Sequence, residues 1–332
     1  MRCRRVVLGF VAVLLTLITP PASAAPPFGE PKVSLLVSGL EGATGSTVGP
    51  GGALYVTEAI AGRISRVDPE TGEVTTFATG LPTRVARIGG AMDIAFIGQT
   101  AYVLVTLVGP DVGGDDTVGI YRVDGPNTFT VIADIGAFAL QNPPDTLFRV
   151  PTGVQYALDV YRGNFLVTDG HHNRVLHVTR DGEVTEFATF GNIVPTGLAV
   201  SGNTVYLAQA GPVPHQPQDG KVVAITPQSG TVTEVASGAP LLVDVEFGRG
   251  RRLYALSQGD SPEDTPDGFP ALPDTGALVE VNADGTMTVV VDRLNQPTSV
   301  DFIGNTAYVV NLAGEIWKIE GVSSPPFGRS SD

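Results

Sequence analysis

Three of the chain's four histidines fall in one short stretch, Thr168-Asp169-Gly170-His171-His172-Asn173-Arg174, which continues to His177. A carboxylate beside an imidazole is the pairing that general acid–base chemistry uses near neutral pH. Adjacent side chains of an extended segment point opposite ways, so His171 and His172 do not readily share one ion. His177 lies two positions into the strand that starts at Val175 and reads as a strand residue. The fourth histidine, His215, ends a proline-stiffened run, Gln209-Ala210-Gly211-Pro212-Val213-Pro214-His215. His172 and His215 with Glu58 or Asp169 form a candidate set for zinc or another divalent ion. His172 with Asp169 is a candidate general base. Hydrogen-bonded turn histidines are the plainer alternative, and both readings stay open at this point. Two acidic stretches, Gly109–Thr117 and Gln258–Thr275, offer the oxygen ligands that calcium takes, but neither has the spacing of a calcium loop. No serine nucleophile elbow, phosphate loop or dinucleotide fingerprint is present.

These residues must be held by something, and the chain repeats itself around them. Leu54-Tyr55-Val56, Ala101-Tyr102-Val103, Phe165-Leu166-Val167, Val205-Tyr206-Leu207, Leu253-Tyr254-Ala255 and Ala307-Tyr308-Val309 are six copies of one short apolar strand. Gly-rich turns precede them, such as Gly163-Asn164 and Gly202-Asn203, which tolerate the positive φ of hairpins. A third alternating strand follows each copy, and a fourth follows the third in five of them. No long segment after the first residues has a helical period. Six units of four antiparallel strands predict an all-β fold, a six-bladed β-propeller. The last unit has only three strands, and a spare strand, Lys32–Val37, lies at the other end of the chain. The expectation is that this N-terminal strand completes the last blade and closes the ring. An open solenoid or a twin-sheet sandwich would leave that strand unexplained.

In such a ring the start of each first strand and the loop after each second strand share one face, around the axial channel. The first set is Thr44, Gly90, Thr152, Thr196, Leu242 and Thr298; the second is Glu58, Thr106, Asp169, Gln209, Gln258 and Asn311. Glu58, Thr152, Asp169, His172, Thr196, Gln209, Gln258, Thr298 and Asn311 are therefore the candidate ligand-binding residues. Polar strand ends that bond loop backbone are the plainer alternative.

The remaining numbers bound the setting. Arg2, Arg4 and Arg5, the apolar run Val6–Ile18 and Ala22-Ser23-Ala24 read as a signal peptide over residues 1–24, with export as the expectation. A linker, 25–31, the propeller, 32–321, and a frayed tail, 322–332, follow. The one cysteine, Cys3, is in the removed segment, so disulfides do not stabilise the mature chain. Loss of the three arginines takes the net charge from -14 to -17. That balance argues against nucleic acid and against anionic lipid. A monomer with no membrane span after cleavage is expected, binding a small molecule or an extracellular protein.

The run ALDVYRGNFLVTDGHHNRVLHV, then FGNIVPTGLAVSGNTVYLAQAGPVPHQPQDGKV, resembles the ScyD/ScyE family of exported propeller-like proteins. The resemblance is strongest between Val150 and Val222 and implies an extracytoplasmic six-bladed propeller without implying a reaction. More widely the chain resembles NHL-repeat, gluconolactonase-like and streptogramin-lyase-like propellers. The lactonases of that group imply a metal held by Asn or Asp at the starts of inner strands, where this chain has Thr152, Thr196 and Thr298. The lyases imply a channel histidine with a glutamate and a divalent ion, for which His172, His215 and Glu58 are the available residues.

Overall fold

The computed structural model describes residues 30–323, except 228 and 263–268. The signal-peptide segment, the acidic residues Glu263, Asp264 and Asp267, and the tail beyond Ser323 lie outside the described residues.

Six four-stranded antiparallel sheets form the ring. Blade 1 runs from Ala43 to Thr79, blade 2 from Gly90 to Asp134, blade 3 from Gln155 to Thr189, blade 4 from Pro195 to Ser237 and blade 5 from Leu242 to Leu294. Blade 6 takes three strands from Pro297–Ile303, Thr306–Asn311 and Ile316–Glu320, and its fourth from Lys32–Val37. The closing pair is antiparallel, with Val33 opposite Ile319 and Leu35 opposite Trp317. The predicted closure is therefore how the ring is built. Deleting residues up to Val37 is expected to lower stability by at least about 3 kcal/mol, because it uncovers the Ile316–Glu320 edge and removes buried aliphatic surface. A urea midpoint unmoved by the deletion would show that the ring holds without this strand.

The second strand of each blade is apolar because it is covered on both faces. Leu54–Glu58 and Leu253–Ser257 are buried at every position. The outermost strands are largely exposed, as in Thr231–Ser237. Between neighbouring blades lie separate apolar clusters rather than one core. Tyr55, Phe77 and Phe96, for example, stack between blades 1 and 2.

Two features differ from the sequence expectation. A short helix, Ile135–Gln141, joins blades 2 and 3, capped by the Asp134 carboxylate, which accepts from the Ala137 amide at 2.7 Å. At seven residues it is too short to show a period in the sequence. The chain also stays packed two residues past the tail boundary. Val322 joins the cluster under blades 5 and 6, and the Ser323 amide donates to Asn305 Oδ1 at 3.0 Å.

Candidate functional site

The register confirms which atoms share the upper face. Gln155 lies opposite Asp169, and Asp169 opposite Arg174. Ala43, Glu58 and Arg63 align in the same way in blade 1. All six inner strands carry a bulge just below this end, for example between Gln155 and Leu158 and between Leu242 and Asp244. Bulges re-aim side chains. Here they turn polar groups sideways, towards the neighbouring blade.

That orientation sets the work of most candidates. An inner strand has one paired edge and one edge facing the channel, whose amides and carbonyls need partners. Thr44 Oγ1 donates to the Ala91 carbonyl at 2.8 Å, joining blade 1 to blade 2. Thr106 Oγ1 donates to Gln155 Oε1 at 2.7 Å and accepts from the Gln155 amide at 3.1 Å, joining blades 2 and 3. Thr168 Oγ1 donates to the Thr196 carbonyl at 2.6 Å, and Thr196 Oγ1 to the Leu242 carbonyl at 2.8 Å. Gln258 Nε2 reaches the Pro297 carbonyl at 3.4 Å, and Ser46 with Ser299 closes the last junction at 3.0 Å. Thr298 Oγ1 donates within its own blade to the Val310 carbonyl at 3.3 Å. Thr152 is clamped by the acidic loop of blade 2: its amide and hydroxyl both donate to Asp111 Oδ2, at 3.0 and 2.8 Å. Asn311 is held in its own turn, donating to Glu315 Oε2 at 2.9 Å and accepting from the Glu315 amide at 3.0 Å. Gln209 is buried, its backbone paired with Pro195 and Lys221.

The two carboxylates form arginine clamps. Glu58 is fully buried and accepts from Arg63 at 2.9 and 2.6 Å, from Ser65 at 2.5 Å and from the Glu41 amide at 2.6 Å. Burial alone would push its carboxyl up, but these bonds outweigh burial and hold it below the usual glutamate range. In blade 3, Asp169 accepts from Arg174 Nε at 2.9 Å and from Gln155 Nε2 at 3.1 Å. Arg174, itself 1 % exposed, also donates to the Asn142 carbonyl at 2.8 Å and to Glu186 at 2.9 Å.

The histidines are placed as follows. His172 is buried, with Nε2 3.0 Å from the Val150 carbonyl and Nδ1 3.2 Å from the Arg174 guanidinium. A carbonyl needs a donor, so Nε2 carries a hydrogen. Its Nδ1 is also 3.1 Å from Asp169 Oδ2, and its ring meets Phe148 edge-on at 5.0 Å. It pins the 142–150 connection onto blade 3. His171 lies 3.1 Å from the Tyr156 hydroxyl through Nε2. His215 Nδ1 faces the Ala210 and Gly211 carbonyls at 3.1 and 2.9 Å, bracing its own loop. His177 is a strand residue opposite Leu166 and Thr185. Among the described residues no three His, Cys, Asp or Glu side chains come together as a metal set. The zinc set of His172, His215 and Glu58, and calcium at Asp111, gain no geometric support from these placements.

The channel wall holds acidic residues that the sequence reading passed over. Asp93, Asp159, Asp244 and Asp301 stand on the inner strands of blades 2, 3, 5 and 6, and Glu246 stands two positions beyond Asp244. Each inner strand writes them as an acid between aliphatic or aromatic neighbours: Met92-Asp93-Ile94, Leu158-Asp159-Val160, Val243-Asp244-Val245, Val300-Asp301-Phe302. That repeated pattern was the signal available. Asp93 Oδ2 accepts from the Leu158 amide of the next blade at 2.7 Å, and Asp244 Oδ2 from the Val300 amide at 2.8 Å. Asp301 accepts from Ser46 Oγ of blade 1 at 2.5 Å. The close approach needs glycine in the facing strand, since a Cβ on Gly197 would sit 2.5 Å from the Asp244 Cα. Burial pushes Asp244 up to about 7, helped by Asp301, and pushes Asp159 and Asp301 up to about 6. Asp93 and Glu246 are raised well above the usual range, by burial first and then by their acidic neighbours.

The sequence matches no protein-family model and no curated protein. Solved structures do match. A gluconolactonase from Xanthomonas campestris is 14% identical, with a TM-score of 0.61, over 88% of this chain and 90% of the other. The PQQ-bound aldose sugar dehydrogenase of Streptomyces coelicolor is 16% identical, with a TM-score of 0.56, over 89% and 99%. Virginiamycin B lyase from Staphylococcus aureus is 15% identical, with a TM-score of 0.52, over 88% and 99%. The likeness is one of fold. These neighbours differ in chemistry, as propellers do, so function has to be argued from this chain's own surface.

Proposed function

We propose that the protein is a secreted binding propeller of the ScyD/ScyE type, whose upper face receives a small molecule with an apolar body. One observation supports this above the others: most polar candidates of that face are engaged inside the ring, and its loops leave several large apolar side chains exposed. Ile60, Val85, Leu147, Phe148, Val213 and Leu272 come from five different loops around the channel mouth, and Leu147 is 100% exposed. Scattered apolar residues on a surface are ordinary, but apolar side chains on loop after loop of one face are what a ligand rim presents. Exposed Arg84 and Arg87 on the connection from blade 1 to blade 2 favour a ligand with an anionic end.

Titration with an anilinonaphthalene sulfonate dye tests the reading, since that probe has an apolar body and a negative end. Saturable fluorescence is expected, falling by at least half in Leu147→Ser with Val213→Ser and with the urea midpoint unchanged. A signal indifferent to both substitutions removes the proposal. A metal-assisted lyase or hydrolase is the second reading, favoured by lyase and lactonase neighbours that match over most of their length. Its residues would be His215 and the His171–Tyr156 pair rather than His172. The same titration run with zinc or calcium separates it, through an ion-dependent signal lost in His215→Ala.

A further inference from the structure

The opposite face has a different chemistry. The turns from first to second strand ring the lower mouth of the channel, because each leaves an inner strand. None of these six turns contains an acid, in a chain with 34 acidic and 20 basic residues. Instead blades 3 and 5 carry Arg162, Arg249, Arg251 and Arg252 there. Arg252 is paired with Glu280, while the other three are exposed.

Two of these arginines occupy positions that suit glycine. The first turn residue is Gly98, Gly202 and Gly304 in blades 2, 4 and 6, with φ of 64°, 62° and 62°. In blade 3 it is Arg162, with φ of 52°. In blade 5 Arg251 has φ of 60° where blade 1 has Gly52 at 70°. A non-glycine residue held there costs about 1 kcal/mol or more, a cost that persists mainly where the side chain has a task.

The two side chains converge. Arg162 donates to Asn203 Oδ1 and Arg251 to Ser201 Oγ, so they grip the blade 4 turn from its two sides. Each guanidinium is also steadied by an aromatic ring, Tyr161 at 5.0 Å and Phe247 at 5.8 Å. The arginines of blades 3 and 5 thus form a cationic strip across the blade 4 turn. The exposed acids of this face, such as Asp181 and Asp284, sit on the outer turns, farther from the axis.

We propose that this lower strip binds an acidic polysaccharide through Arg162, Arg249 and Arg251. Guanidinium forks match carboxylate and sulfate groups. The turns carry no exposed large apolar residue; the nearest, Val48, stands before the blade 1 turn. A protein partner would want such apolar anchors, and a nucleic acid would want exposed aromatic platforms, whereas Tyr161 is buried.

Binding of the full chain to polygalacturonate, dextran sulfate and neutral dextran tests this. Binding to at least one charged polymer is expected, weakening steeply as salt rises, with none to neutral dextran. Carboxylate and sulfate specificity are told apart by which polymer binds. The double variant Arg162→Gly with Arg251→Gly is expected to lose at least five-fold in affinity while its urea midpoint stays level or rises, because glycine suits both turns. Arg249→Ser, which touches neither strained position, should lose at least two-fold. Equal binding of neutral dextran, no binding of either charged polymer, or a smaller loss in the double variant overturns the proposal. A fallen urea midpoint with binding intact would mean that the arginines only brace the blade 4 turn.

Discussion

Replacing Arg174 with alanine should cost about 3–5 kcal/mol in urea unfolding at pH 7, more than any single change at the other upper-face candidates. The guanidinium lies in the interior and serves three acceptors at once, Asp169, Glu186 and the Asn142 carbonyl, with His172 Nδ1 beside it at 3.2 Å. Its loss strands a carboxylate that is 0 % exposed, and an unpaired buried charge is the costly outcome, not the missing attraction. Two companions make the claim specific. Asp169→Asn combined with Arg174→Met removes both charges and should recover at least about 1 kcal/mol over Arg174→Ala. Arg63→Ala should cost less, because its side chain is 28% exposed and water can reach the Glu58 clamp from that side. Equal losses in Arg63→Ala and Arg174→Ala would mean that burial does not decide the matter. Limited proteolysis between Asn142 and Arg149 should also quicken in Arg174→Ala, since Arg174 and His172 hold that connection down.

This clamp shows how far the sequence could be read. The ring was legible because it follows from period: six apolar strands between Gly-rich turns, with a three-strand remainder matched by Lys32–Val37. Antiparallel pairing then fixes which residues share a face. What each of these side chains bonds is not written in that pairing. Asp169 and Arg174 are five residues apart across a hairpin, as are Glu58 and Arg63, and that spacing puts each pair side by side. The eye goes to the paired histidines between them, yet the arginine opposite the carboxylate decides the chemistry. The bulge below each strand start turns the hydroxyls of Thr44 and Thr196 to the next blade, while Thr152 bonds the blade 2 loop and Thr298 its own blade. Bulges leave no mark in a hydrophobic pattern. The lower arginines had no periodic signal either, because their meaning lies in the φ of the turn they occupy.

Raising the pH from 5 to 8 should destabilise the protein by about 5 kcal/mol, the reverse of what carboxylates clamped by arginine produce. The sign follows from the channel wall. Asp244 at about 7, and Asp159 and Asp301 at about 6, hold protons in the folded chain that the unfolded chain has already released above its ordinary carboxylate range near 4. The folded state therefore binds more protons through this window, and stability falls with rising pH, being fully present only below about pH 4 and lost by about pH 8. Glu58 works in the other direction, but its lowered value confines its effect to pH below about 4.5. The belt is set apart by what faces it. Asp93 and Glu246 each feel Asp244 and Asp301, Asp244 feels Asp301, Glu246 also feels Asp159, and among the described residues no lysine or arginine forms an ion pair with any of the five. Each added charge thus meets like charge in a site walled by apolar strands. Asp244→Asn should cut the stability difference between pH 5 and pH 8 by about half. It should also cost about 1 kcal/mol at pH 5, because Asp244 accepts from both the Val300 and the Val245 amide and asparagine offers one acceptor oxygen. Urea midpoints at half-unit pH steps would show this as a shallower slope. A slope identical to that of the unaltered chain would mean that Asp244 keeps its charge in the fold, and that some counter-charge reaches the channel.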